Sequence, residues 1–167
     1  MKSSIGKEAH KIRLDIKNEI RFFYDAVMRY ASFFGSFLFF GFAVILFYIL
    51  HQTLIGLQLF KGGIVVMFLE YTIKVLYKVY RPDFKTTKPI SLFESFQENS
   101  SFPSGHSALA ALFTTLIHLT YGMLPLTVLF MVMTILTGLS RIALKRHYVS
   151  DVVAGYVIGI IIAVFLS

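Results

Sequence analysis

The positions Ile5, Ala9, Ile12, Ile16, Ile20, Phe23 and Val27 recur every three or four residues, with Lys7, Lys11, Lys17 and Arg21 elsewhere on the helical wheel. This spacing predicts an amphipathic helix over residues 1–29 that lies in a membrane interface; a solvated helix packed on a bundle is the alternative. No short apolar core followed by a small-residue cleavage site precedes the first long apolar run, so residues 1–29 do not read as a secretory signal. Beyond residue 30 the periodic pattern gives way to long apolar runs. Ala31 to Leu50 contains no charged residue, and Gly62 to Tyr80, Ser104 to Tyr121, Met123 to Arg141 and Tyr148 to Leu166 follow, the second of these carrying Glu70, Lys74 and Lys78. A membrane crossing needs roughly 20 mostly apolar residues. The predicted class is therefore all-α, a transmembrane helical bundle of about five spans formed as a single domain by residues 30–167.

The connections are short except one. His51 to Lys61, Tyr121–Gly122 and Ile142 to His147 are brief links, whereas Arg81 to Phe102 is a long loop with Pro82, Pro89 and a polar stretch from Glu94 to Ser101. A loop of that length in a compact bundle is often functional. Gly155 and Gly159 form a G-x-x-x-G on the last span, which predicts close helix approach within the bundle rather than a dimer seam; the oligomeric state is left open, and a monomer is compatible with this pattern.

Composition agrees with the pattern. The chain is 56% hydrophobic with a mean hydropathy of +0.72, too apolar for an ordinary water-soluble domain. Its formal charge of +7 calls for an anionic counterpart, and in a bilayer that is a lipid headgroup or a phosphorylated substrate. No aromatic-interleaved basic platform is present, so no nucleic-acid partner is expected. Cysteine is absent, which excludes disulfides and thiolate chemistry.

The expensive polar residues then change the picture. Five antiparallel spans would gather Lys74 and Arg81, Ser104–Gly105–His106, Ser140–Arg141 and His147 with Asp151 at one membrane face. Charged groups at such depth usually face one another or a water-filled cavity. Lys74 and Arg81 are seven positions apart, about two helical turns, and are expected to project toward one point. His147 and Asp151 are four apart, so the carboxylate is expected to hold one ring nitrogen of the imidazole and leave the other as a nucleophile or base. Arg141 suits phosphate oxygens. Pro103 is expected to start the third span, with Ser104, the side-chain-free Gly105 and the first amides cradling an anion and His106 placed to give a proton to a departing oxygen and take one from water. Lys78, Lys145 and Arg146 read as snorkelling side chains, Glu70 as a neutralising or orienting partner of Lys74, and His118 as a packing residue. His10 and His51 are uninformative.

These residues match a known pattern. Lys74, six residues, then Arg81–Pro82; Pro103–Ser104–Gly105–His106; and Ser140–Arg141, five residues, His147, three residues, Asp151 resemble the tripartite signature of the PAP2 family, the type 2 phosphatidic acid phosphatases. The resemblance covers about Gly62 to Leu166. It implies that His147 forms a phosphohistidine while Asp151 holds it, and that His106 protonates the leaving lipid oxygen and later activates water. Lys74, Arg81, Ser104, the Gly105 amide and Arg141 are implied to bind the phosphate oxygens, with no metal and no cofactor. The related vanadium haloperoxidases use a similar constellation, but as soluble proteins. Implied substrates are membrane lipid phosphates or pyrophosphates: lipid A 1-phosphate, undecaprenyl pyrophosphate or phosphatidylglycerophosphate. Transfer to another hydroxyl, and non-catalytic transport or binding of phospholipids, remain the alternatives. The implied location is a bacterial inner membrane. There the Lys and Arg count favours a cytoplasmic site, and the resemblance favours an extracytoplasmic one, which is the expectation adopted.

Overall fold

In a computed structural model the backbone is described for residues 2–83 and 100–167, and side chains from residue 13 onward. Among the described residues six helices follow one another: α1 (Lys2–Phe33), α2 (Phe37–Ile49), α3 (Thr53–Tyr77), α4 (Gly105–Tyr121), α5 (Leu124–Ala143) and α6 (Val149–Leu166). The all-α class holds. Arg13–Ile49, Thr53–Tyr77, Leu124–Ala143 and Val149–Leu166 are each long and apolar enough to cross a membrane. The expected side-chain pattern at Ile5, Lys7, Ala9, Lys11 and Ile12, and the loop positions Pro89 and Glu94, lie outside the described residues.

The centre of the bundle is α4. From Gly105 to Ile117 nearly every residue is buried, as expected for a helix packed on all sides. It packs against α3, α5 and α6, with α2 touching it more lightly. The α4–α6 contact is the tightest, because α6 presents glycines where α4 presents backbone: a Cβ on Gly155 would sit 2.5 Å from the Ser104 carbonyl oxygen, and one on Gly159 2.2 Å from that of Ala108. The outer surface is apolar, with Leu38, Phe68, Leu76 and Phe165 among the exposed large side chains, as a lipid-facing surface requires.

Two predicted boundaries are wrong for identifiable reasons. The run Ala31 to Leu50 is not one helix: the chain turns at Phe34–Gly35–Ser36, and Ser36 caps α2 by accepting from the Phe39 amide at 3.2 Å. A Cβ on Gly35 would lie 2.2 Å from the His106 carbonyl oxygen, so the turn is set by close packing on α4. Phe34 is locked there in a ring cluster with Phe39, Phe113 and Phe130 at centroid distances of 4.8, 5.5 and 5.8 Å. The other error is the link His51 to Lys61. Helix α3 already begins at Thr53, its polar early residues being tolerated at a helix end while Ile55 and Leu59 bury. Gln58 donates to the Leu166 carbonyl at 2.7 Å and ties the start of α3 to the end of α6.

Candidate active site

Four chain segments converge at one end of the bundle: the end of α3 with residues 78–83, the loop into α4, the α5–α6 turn, and the start of α6. The long loop is clipped where it returns. Tyr80 and Ser100 form an antiparallel bridge, and the Ser101 amide donates to the Val79 carbonyl at 2.6 Å. This clip brings Ser101 beside α6 and sets Arg81, which is only 6% exposed, at the same end.

Arg81 reaches the site by a different route from the one its spacing predicts. Helix α3 stops at Tyr77 and Lys78 adopts a left-handed conformation (φ 43°), so Lys74 and Arg81 do not share a helical face. The reversal of the chain, not helical periodicity, carries Arg81 back. Lys74 stays on the helix, nearly buried, with its ammonium 2.6 Å from Glu70 Oε1. One of its three donors is thus committed, and among the described residues the others are left for a ligand.

The helix start at Ser104 also differs from expectation. The Phe102–Pro103 peptide is cis, Pro103 precedes the cap instead of occupying the first helical position, and Ser104 is the N-cap. Its hydroxyl oxygen accepts from Ser107 Oγ at 2.9 Å and from the Ser107 amide at 3.4 Å, leaving its own proton to donate elsewhere. The position a side chain would take at Gly105 is filled: a Cβ there would fall 2.0 Å from Glu70 Oε2. Gly105 is bare so that the Glu70 carboxylate can lie against the start of α4, close to its positive dipole end. Ser140, the remaining hydroxyl of the signature, turns inward and donates to the Thr137 carbonyl at 2.6 Å.

His147 belongs to the turn before α6, not to the helix, which begins at Val149. One-turn geometry with Asp151 therefore does not apply. The expected direct bond is replaced: His147 Nδ1 is 2.7 Å from the Ser101 carbonyl oxygen and 3.7 Å from Asp151 Oδ2. A carbonyl only accepts, so Nδ1 carries the proton and Nε2 is left with its lone pair. The carboxylate acts one step behind. Asp151 Oδ2 accepts from Ser101 Oγ and, at 2.8 Å, from the Tyr148 amide, and thereby holds both the residue that grips His147 and the backbone next to it. Sequence reasoning passed over Ser101, whose essential atom is a backbone carbonyl that any residue type possesses.

The turn carrying His147 is itself rigid. The Arg146 amide donates to the Arg141 carbonyl and the Lys145 amide to that of Ile142, both at 2.9 Å, closing α5 in a Schellman motif with Lys145 left-handed at φ 56°. Arg141 sits on the last turn of α5, and its Nη1 donates to Ser32 Oγ of α1 at 2.9 Å. Ser32 is the second residue that motif spacing could not reveal, since it lies far upstream.

Burial drives the pKa of His147 below its ordinary 6.5; Asp151 opposes the shift, while the charges of Arg141, Arg81 and Lys74 add to it. The imidazole is therefore neutral at physiological pH. His106, half-buried in the first turn of α4, lies within electrostatic range of His147, Arg141, Lys74 and Arg81. His118 stands apart toward the other end, paired with Thr127 Oγ1 at 3.0 Å.

Comparison with known proteins now bears on this cluster. A lipid A 1-phosphatase from Porphyromonas gingivalis is 42% identical over 65 residues, which is 38% of this chain but only 15% of that protein. Two solved structures share the fold, each at 24% identity over 86% of this chain: a transmembrane PAP2-type phosphatidylglycerolphosphate phosphatase from Bacillus subtilis (TM-score 0.69, 75% of that chain covered) and LpxE from Aquifex aeolicus (TM-score 0.70, 85% covered). The PAP2 superfamily itself matches residues 36–167, from the cap of α2 through the whole of α6, and to that superfamily the chain belongs.

Proposed function

We propose that this protein is a lipid phosphatase that removes a phosphate from a membrane lipid phosphate or pyrophosphate through a phosphohistidine, without a metal. The observation carrying this reading is the 2.7 Å contact between His147 Nδ1 and the Ser101 carbonyl, which fixes the tautomer and leaves Nε2 as a nucleophile. In the first step a bond forms from Nε2 to phosphorus as the bond from phosphorus to the lipid oxygen breaks, and His106 gives that oxygen its proton. Water, losing a proton to His106, then displaces His147 and releases inorganic phosphate. Lys74, Arg81 and Arg141, with the Ser104 hydroxyl and the Gly105 amide, neutralise the phosphoryl oxygens, the kind of fixed electrostatic stabilisation on which phosphoryl transfer depends. The apolar exterior restricts the substrate to one whose tails remain in the bilayer while its headgroup reaches the end of the bundle. Lipid A 1-phosphate, undecaprenyl pyrophosphate and phosphatidylglycerophosphate are the candidates, two of which appear in the names of the relatives.

The reading places the site on the extracytoplasmic face of a bacterial inner membrane. Resemblance to bacterial lipid phosphatases supports this against the positive-inside count, because several of the cations counted are accounted for by phosphate and Lys74 is already paired with Glu70. Protein purified in neutral detergent with excess chelator should release phosphate from at least one lipid in such a panel. His147→Ala should lower that rate about 10³-fold or more. Turnover that persists in His147→Ala, or that a chelator abolishes, would overturn the mechanism. Phosphate passed to an acceptor hydroxyl instead of water would reassign the reaction to transfer, and tight binding without any turnover would make the protein a binder.

A further inference from the structure

Helix α1 lies wholly outside the segment that matches the family, yet it borders a cavity of about 690 Å³ that opens onto Arg141. From α1 the cavity takes Arg21, Asp25 and Arg29, positions four apart that line up along one face of the helix. The α5–α6 turn contributes Arg141, Lys145 and Arg146. Asp83 completes the rim, already engaged by Arg146 Nη1 at 3.3 Å. Five cations thus face two carboxylates, one of them taken. Arg21, Arg29 and Lys145 have no ion-pair partner among the described residues.

The position of this vestibule is fixed. Ser32 Oγ holds Arg141, and Thr137 Oγ1 donates to the Ala31 carbonyl at 3.1 Å, so the end of α1 is bolted to α5 beside the reaction centre. Counting back from Ser32 at 1.5 Å per residue, Arg29 lies roughly 5 Å and Arg21 roughly 16 Å along the helix axis. Arg141 therefore stands between two anion-binding regions, one at His147 and one along α1.

We infer that α1 and the α5–α6 turn form a second anion subsite that takes another anionic group, a phosphate or phosphodiester, of the same lipid whose phosphate reacts at His147. The inference rests on the phosphatase reading for the first group, and it narrows the substrate class to lipids with at least two anionic groups in the headgroup. A mono-phosphorylated lipid satisfies only the reaction centre. The vestibule cations make the difference between the two classes by holding the headgroup in register.

The test compares phosphatidic acid, with one phosphate, and phosphatidylglycerophosphate, with a phosphodiester beside the terminal phosphate. Equilibrium binding of both is measured on His147→Ala protein in neutral detergent, so the result does not depend on turnover, and phosphate release is measured separately on the wild type. The parent should prefer the doubly anionic lipid, and Arg29→Ala and Arg21→Ala should each reduce that preference about tenfold. Arg29→Lys should restore most of it, which a merely folding-related defect would not allow. A preference that the substitutions leave unchanged, including equal losses for both lipids, overturns the subsite. So does a loss seen only in vesicles containing phosphatidylglycerol, which would assign the cations to bilayer lipid. Failure of the wild type to release phosphate from these lipids and from lipid A 1-phosphate and undecaprenyl pyrophosphate would overturn the phosphatase reading alone, since binding is read independently.

Discussion

At the scale of the residue, His147 shows how the tautomer and charge of an imidazole are set by its neighbours. Its proton is fixed by a backbone carbonyl, that carbonyl's residue is fixed by Asp151, and burial keeps the ring neutral. The spacing of His147 and Asp151 made both legible as partners, but not the manner of partnership, because that reasoning assumed one continuous helix and the helix begins two residues after His147. The lowered pKa has a sign that can be checked. Below about 6.5 an unfolded chain protonates this imidazole while the folded protein does not. Stability contributed by the group is therefore complete above about 6.5 and is lost as the pH falls from there toward the lower folded value, at no more than about 1.4 kcal/mol per pH unit. Thermal unfolding of wild type and His147→Gln across pH 7.5 to 5 should show the wild type losing relative stability in that window. A wild type that gains stability relative to the variant as the pH drops would contradict a buried neutral imidazole.

At the scale of the element, α4 and α6 form the rigid pair on which the site is mounted, and their contact depends on atoms that glycine lacks. The G-x-x-x-G was legible as a close-approach signal, although its partner, the Ser104–Ala108 backbone of α4, was not. Gly159→Ala would force a Cβ to within 2.2 Å of the Ala108 carbonyl oxygen, whereas a Cβ on Gly41 of α2 meets nothing within 4 Å. Gly159→Ala should consequently destabilise the protein by several degrees in Tm, a cost of about 1–3 kcal/mol from overpacking. Gly41→Ala should be neutral or stabilising by up to about 1 kcal/mol, since only helix propensity changes. Equal effects of the two substitutions on thermal unfolding in detergent would remove the α4–α6 seam from this account. Helix boundaries were less legible than helix identities: hydropathy runs on through Gly35, and nothing in an apolar count registers that the turn there is packed against the His106 carbonyl.

At the scale of the whole molecule, Asp83, Arg141, Lys145 and Arg146 gather at the site end, and the orientation of that end in the membrane is a separate question from its chemistry. The chain contains no cysteine, so Lys78→Cys, exposed just beyond α3, introduces a unique thiol at the site end. On the proposed placement in an inner membrane with the site outside, a membrane-impermeant maleimide applied to intact cells with the outer barrier permeabilised should label Lys78→Cys, and Gly122→Cys at the opposite end should stay protected until the membrane is lysed. The reverse pattern would put the site in the cytoplasm.

The sequence alone determined the class of the molecule and the polar residues that meet at one end of the bundle. Apolar length forces helices wherever backbone groups must be satisfied in lipid, and charged side chains inside such helices are too costly to be scattered without purpose. Lys74, Arg81, His106, Arg141, His147 and Asp151 were therefore visible in one dimension. The tertiary structure alone decided how they are held together: the clip at Tyr80 and Ser100 that returns Arg81, the Ser101 carbonyl that sets the His147 tautomer, the Glu70 carboxylate against Gly105, and the Ser32 hydroxyl on Arg141. Each of these depends on backbone atoms or on residues distant in the chain, and neither leaves a mark in the local spacing of residue types.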